Sequence, residues 1–216
     1  MRRGRQVILK VLLGICACLV FAGSVQAVIV PFYGITNDNP DNIAIGEDQL
    51  FVEVTNGGPS VTFTFYNVGS SQCTITDVYF DDGTLLEITG LIDRDEGTGG
   101  DLDVDFSQHA SPGNLPGGGD MADPFVTTAG FSADAVPPPA WEGVDPGESL
   151  GVVFSLTSGD INLVLQELLD TTLRIGIHVQ NFDGGGSESF VNEPVPEPAT
   201  MALLGLGVLL LRKRRA

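Results

Sequence analysis

Side chains able to act as an acid, a base or a nucleophile are few in this chain, apart from its carboxylates. The chain has two histidines, His109 and His178, and no GxSxG, HExxH or P-loop pattern. Glycosidases use a pair of carboxylates, but among 28 acidic residues no pair stands out. His178 lies in an apolar segment, where a hydrogen bond to a neighbour is its expected role, and His109 lies in a loop. The sequence therefore predicts no enzymatic activity.

An acidic cluster is the candidate metal site. Six carboxylates fall within thirteen residues and are interrupted by glycines: Asp93, Asp95, Glu96, Asp101, Asp103 and Asp105. Calcium prefers several oxygen ligands on a flexible loop, although this pattern lacks the central glycine and the final acid of an EF-hand. In the alternative interpretation, Leu102, Val104 and Phe106 face the core while the aspartates face solvent. Calcium is the candidate cofactor, and the alternation favours a chain without one.

Short β segments, separated by clusters of Gly, Asn, Asp and Pro, must position these side chains. Alternation predicts two hairpins, one that pairs 49–55 with 61–66 and one that pairs 73–80 with 84–88. Three further strands are predicted at 149–156, 173–179 and 190–191. Helical spacing after Asp160 predicts one short helix at 161–169. The segment 97–139, rich in Gly, Pro and Asp, is predicted to be a long loop. Residues 28–193 are therefore predicted to form one all-β domain, a jelly-roll-like β-sandwich.

Residues 1–27 have the pattern of a secretory signal peptide. Four basic residues up to Lys10 precede an apolar stretch at 11–22, and Val25-Gln26-Ala27 offers a cleavage site after Ala27. Lipidation at Cys18 is the alternative, which the continuation of the apolar run past Cys18 disfavours. Removal of the leader leaves Cys73 as the only cysteine, so that a disulfide within the body is excluded and a buried thiol is expected.

The body between the two ends is strongly acidic. Residues 28–193 contain 27 acidic residues and only two basic ones, Arg94 and Arg174, which gives a formal charge of −25. Such a surface repels nucleic acid and stays soluble by self-repulsion. Nucleic acid is therefore excluded as a partner, whereas divalent cations are attracted.

The C-terminal segment 194–216 has three parts in a fixed order. Pro196-Glu197-Pro198 is extended because proline cannot continue a helix. The apolar run 201–211 follows, and then the basic cluster Arg212, Lys213, Arg214 and Arg215. This run is shorter than the roughly 20 residues that an ordinary spanning helix needs, and the basic cluster stays on the cytoplasmic side. The pattern indicates transient tethering of an exported body.

This tail resembles the PEP-CTERM sorting signal of Gram-negative bacteria. The stretch 173–192, with its Gly184-Gly185-Gly186 turn, is similar to the region that precedes the tail in such proteins with uncharacterised β-rich bodies. The resemblance implies export by the Sec machinery and transient residence in the inner membrane through a C-terminal helix. It further implies processing by an exosortase, a membrane cysteine peptidase or transpeptidase, and delivery to the cell surface or the extracellular matrix.

Two classes of function are consistent with these features. The first is a non-enzymatic surface or matrix protein, structural or adhesive in exopolysaccharide or biofilm. The second is a secreted carbohydrate-binding module or glycan-active enzyme that uses the same sorting route, for which an exposed Trp141 would offer a stacking surface. The absence of a convergent acid, base and nucleophile favours the first class.

Overall fold

The computed structural model describes residues 27–81, 84–94, 104–157 and 160–192. Within these ranges the chain forms ten strands: β1 Val28–Gly34, β2 Leu50–Asn56, β3 Ser60–Asn67, β4 Thr74–Asp81, β5 Leu85–Arg94, β6 Phe106–Gln108, β7 Ser132–Ala135, β8 Ser149–Leu156, β9 Arg174–Gln180 and β10 Glu188–Asn192. The same ranges contain the helices α1 Pro40–Gln49, α2 Pro139–Glu142 and α3 Ile161–Asp170. In this part of the chain, no helix is long and apolar enough to cross a membrane.

The ten strands form one antiparallel sheet in the order β5-β8-β3-β2-β1-β10-β9-β4-β7-β6. Strand β1 joins its two halves, because Val28–Pro31 pair with β2 whereas Phe32–Gly34 pair with β10. We call the strands β5, β8, β3 and β2 with the start of β1 the β3 half, and the remaining strands with the end of β1 the β4 half. The outer strands also meet, since Gln108 Nε2 of β6 donates to the carbonyl oxygen of Ile88 in β5 at 3.2 Å.

The hydrophobic core lies between the two halves. The ring of Phe80 in β4 packs edge-on against Phe63 in β3 and Phe154 in β8, with centroid distances of 5.0 and 4.7 Å. All three side chains are fully buried, and burial of each such side chain stabilises the fold by about 1.5–3 kcal/mol. The prediction of an all-β body is confirmed, with β1 joining its two layers into one sheet.

The first predicted hairpin is confirmed, and the second is wrong. Strands β2 and β3 pair along their whole length around the turn at 57–59. Strand β4 instead pairs with β7 and β9, while β5 pairs with β8, so that β4 and β5 lie in opposite halves. The predicted long loop at 97–139 also differs, because it contains β6 and β7, which extend the β4 half at its edge.

The two longer helices lie at opposite ends of the sheet. The predicted helix is confirmed as α3, where Asp160 Oδ1 accepts from the backbone N–H of Asn162 at 2.9 Å. It connects the end of β8 to the start of β9 and places Val164 and Leu168 in the core. Helix α1 lies outside the predicted elements and connects the end of β1 to the start of β2.

A buried carboxylate holds the start of α1. Glu188 in β10 accepts from the backbone N–H of Asn39 at 2.7 Å and from Thr36 Oγ1 at 2.6 Å. Its side chain is fully buried, so these hydrogen bonds replace the water that an ionised carboxylate would otherwise need. Glu188 thereby connects the last strand of the body to its first helix.

Candidate functional site

The predicted calcium cluster is only partly within the described residues. Asp95, Glu96, Asp101 and Asp103 lie outside them, whereas Asp93 in β5 and Asp105 before β6 are described and exposed. Val104 and Phe106, on either side of Asp105, are buried, as the alternating interpretation expects. Across the described ranges, no group of three or more His, Cys, Asp or Glu side chains is placed to hold a metal ion.

A carboxyl pair lies on the outer face of the β4 half. Asp77 in β4 and Asp134 in β7 are directly opposite each other in the sheet, and Asp77 is buried. Thr76 Oγ1 donates to Asp77 Oδ2 at 2.8 Å, and the backbone N–H of Ser111 reaches Asp134 Oδ2 at 3.4 Å. Burial raises the pKa of Asp77 to about 7; the Thr76 hydroxyl opposes this rise, and the charge and hydrogen bond of Asp134 add to it. Asp77 therefore holds a proton at mildly acidic pH, where an ordinary aspartate is ionised.

The same row of the sheet contains His178 and Ser189. His178 is the partner of Asp77 on β9, and Ser189 is the partner of His178 on β10. His178 Nδ1 lies 3.1 Å from Ser189 Oγ, and burial lowers the pKa of His178 while Glu188 opposes that effect. Ser189 is fully buried, so its hydroxyl is not accessible to a substrate. The prediction that His178 is bonded to a neighbour is confirmed.

The segment 110–125 covers this outer face. Tyr79 Oη donates to the carbonyl oxygen of Pro112 at 3.1 Å, and burial, followed by the nearby Asp77, raises the pKa of Tyr79. Gly176 in β9 leaves room for the covering segment, because a Cβ at Gly176 would lie 2.7 Å from Leu115 Cδ2. Strand β4 is consequently buried on both faces, which explains its nearly uninterrupted burial pattern.

A cleft of about 460 Å³ opens beside this covering segment. Its lining combines apolar and polar side chains: Tyr33, Met121, Asp123, Thr171, Arg174 and Asn192. Arg174 forms ion pairs with Asp81 and Asp123, donates to the carbonyl oxygens of Asp123 and Pro124, and lies 5.4 Å from the centroid of the Phe125 ring. Arg174 therefore fastens the covering segment to the sheet through its Nη1 and Nη2 donors.

The last strand leaves the sheet at this cleft. The backbone N–H of Ile175 in β9 donates to the side-chain oxygen of Asn192 at 2.7 Å. A side chain thus closes the hydrogen-bond ladder between β9 and β10. The described body ends here, and the tail begins directly beyond.

Cys73 and Trp141, the thiol and the aromatic ring considered as functional groups, lie in contrasting environments. Cys73 is fully buried, and its Sγ atom lies 3.0 Å from Gln49 Nε2. Burial raises the pKa of its thiol to about 11. This confirms the expectation of a buried thiol and disfavours an intermolecular disulfide. Trp141 in α2 is 60% exposed. Its ring therefore lies at the surface, as the stacking contact of the second class of function requires.

The comparison with protein families assigns the tail. Residues 194–215 match the model of the PEP-CTERM protein-sorting motif. The chain carries a PEP-CTERM sorting signal. The motif implies an exported protein that an exosortase targets through membrane-anchored sorting to the cell surface. Comparisons with curated proteins and with solved structures give no match.

The sorting residues lie beyond the described body. Pro196, Glu197 and Pro198, and the basic cluster Arg212–Arg215, fall outside the described ranges, as does the predicted signal peptide up to residue 26. The described residues end at Asn192, which lines the cleft, two residues before the matched segment begins.

Proposed function

We propose that this chain is a non-enzymatic protein of the cell surface or extracellular matrix, exported by the Sec machinery and cleaved after Ala27. An exosortase then processes it at Pro196-Glu197-Pro198, after transient residence in the inner membrane. The observation that carries this proposal is the PEP-CTERM match at 194–215. The body serves as a structural or adhesive component of exopolysaccharide or biofilm.

The body supports a non-enzymatic role through its charge and its polar groups. Its formal charge of −25 favours hydration and the binding of divalent cations over the binding of nucleic acid. Its buried thiol at Cys73 and the inaccessible hydroxyl of Ser189 are unsuited to nucleophilic catalysis. Calcium bound by the cluster 93–105 would connect the body to acidic polymers. Two layers packed on one core also favour describing the body as a β-sandwich.

The sorting step is tested by replacing Pro196-Glu197-Pro198 with alanines in the native host. The intact mass and location of this variant are compared with those of the unchanged protein, in cells with and without the exosortase. The unchanged protein should lose residues 1–27 and its tail, and extra mass at the new C-terminus would identify an attached polymer. The variant should remain full length in the inner membrane after leader removal. Normal processing of the variant would rule out the proposed sorting step.

A second candidate function, sugar binding, is favoured by the exposure of Trp141. Exposed aromatic rings stack on the apolar faces of sugar rings. Because Trp141 is the only tryptophan, its fluorescence reports on this site alone. Titration with exopolysaccharide from the native host should shift the emission to shorter wavelength if Trp141 is a sugar contact. An unchanged spectrum at saturating polymer would dismiss this candidate.

A further inference from the structure

The predicted leader and the sorting tail leave the body at the same end. Strands β1 and β10 are antiparallel neighbours, with Phe32 opposite Asn192. The start of β1 and the end of β10 therefore lie at one end of the sheet, which also carries α3. We call this end, formed by the start of β1, the end of β10 and α3, the exit end. The described residues that adjoin the predicted leader and the sorting tail therefore both belong to the exit end.

The sorting motif is tethered closely to the exit end. Only residues 193–195 separate Asn192 from Pro196, and a chain spans at most about 3.6 Å per residue. The Cα atom of Pro196 therefore lies within about 14 Å of the Cα atom of Asn192. A folded enzyme that grips Pro196-Glu197-Pro198 has no room to avoid the body at that distance.

The exit end also carries exposed aliphatic side chains. Four large exposed hydrophobic residues lie at this end: Ile29 in β1, Leu86 in β5, Leu163 in α3, and Val126 in the loop before β7. Val126 is placed by its backbone N–H, which donates to Asp81 Oδ2 at the end of β4. Exposed aliphatic groups suit a protein contact. A lipid contact is less favourable, because the acidic body is repelled by anionic lipid.

We propose that the exit end is the surface of the body that contacts the exosortase while the enzyme holds the PEP-CTERM motif. This inference rests on the proposed function and adds the orientation of the body during processing. The opposite end, with α1, points away from the membrane and is not contacted. The proposal rests on the pairing of β1 with β10 and on the three residues that separate Asn192 from Pro196.

Two valines of similar exposure provide a matched test. Val126 at the exit end is 61% exposed, and Val68 at the opposite end, beside the end of α1, is 58% exposed. A photo-crosslinking amino acid is placed in the full-length chain at position 126, 163 or 68, and at position 195 beside the motif as a reference. The host expresses an exosortase whose catalytic cysteine has been replaced, so that the complex accumulates.

We expect exosortase adducts from positions 126, 163 and 195, and no exosortase adduct from position 68. Adducts of equal yield from positions 68 and 126 would overturn the proposed orientation, as would lipid adducts in place of exosortase adducts at 126 and 163. In those cases the adduct at 195 would persist and the proposed function would stand. Loss of the adduct at 195 as well would remove the proposed function, and this inference with it.

Discussion

Replacement of Asp77 by asparagine should stabilise the body at alkaline pH. The pKa of Asp77 rises from its usual 3.8 to about 7 in the folded body, mainly because of burial. Between these two values the folded state binds more protons than the unfolded state, so the free energy of unfolding falls as the pH rises from about 4 to about 7. Above pH 7 the stabilisation that protonated Asp77 contributes to the folded state is lost in full.

The size of this effect follows from the shift in pKa. A difference of about three pH units, at 1.36 kcal/mol each, corresponds to at most about 4 kcal/mol. Asparagine carries no charge at any pH, and its amide can donate to the Asp134 carboxylate that lies opposite on β7. We therefore expect the free energy of unfolding of Asp77→Asn to equal that of the unchanged protein near pH 4 and to exceed it by up to about 4 kcal/mol at pH 8.

Denaturant unfolding of the mature protein, followed by far-ultraviolet circular dichroism at pH 4, 6 and 8, measures this difference. Asp105→Asn is the matched control, because it makes the same change of side chain at an exposed aspartate. If Asp77→Asn keeps the pH dependence of the unchanged protein, or is the less stable of the two at pH 8, the protonation of Asp77 does not govern the stability of this region.

Three further predictions concern the covering segment, the last strand and the tail. Gly176→Ala should cost about 1–3 kcal/mol, because its Cβ would collide with Leu115, whereas Gly119→Ala, with open space around it, should be nearly neutral by thermal unfolding. Glu188→Gln removes a buried charge that accepts from the start of α1 and should cost about 1–3 kcal/mol; equal denaturation midpoints would contradict this. Deletion of 212–215 should shorten the membrane residence of the precursor in pulse-chase fractionation, and an unchanged lifetime would count against the positive-inside argument.

Local patterns were sufficient to predict the features that depend on neighbouring residues. The β2–β3 hairpin is set by alternation on both sides of a Gly-Gly-Pro turn, and α3 is set by helical spacing after its Asp160 cap. The sorting tail is likewise a contiguous pattern, and its prediction is confirmed by the family match. In each case the deciding interactions connect residues close in sequence.

Features that depend on distant pairing could not be predicted in this way. The Asp77–Asp134 pair requires β4 to lie beside β7, and nothing local in β4 indicates which strand will be its neighbour. The double-sided burial of β4 likewise depends on the covering segment 110–125. Helix α1 did carry a local signal, with Asn39 as its cap and Pro40 in its first turn. Its weakly apolar sequence concealed that signal, because amphipathic spacing is the stronger indication of a helix.

On the proposed export route, the pairing of β1 with β10 sets an order of events. Strand β1 cannot complete its hydrogen-bonded pairing until β10 has left the translocation channel, because Phe32–Gly34 pair only with β10 among the described strands. The apolar run begins nine residues after Asn192, so it enters the channel as β10 emerges on the far side. Long-range closure of this kind is slow compared with local hairpin formation. On the proposed route, the body therefore finishes folding after the tail has reached the membrane, and the exosortase meets a nearly completed sheet.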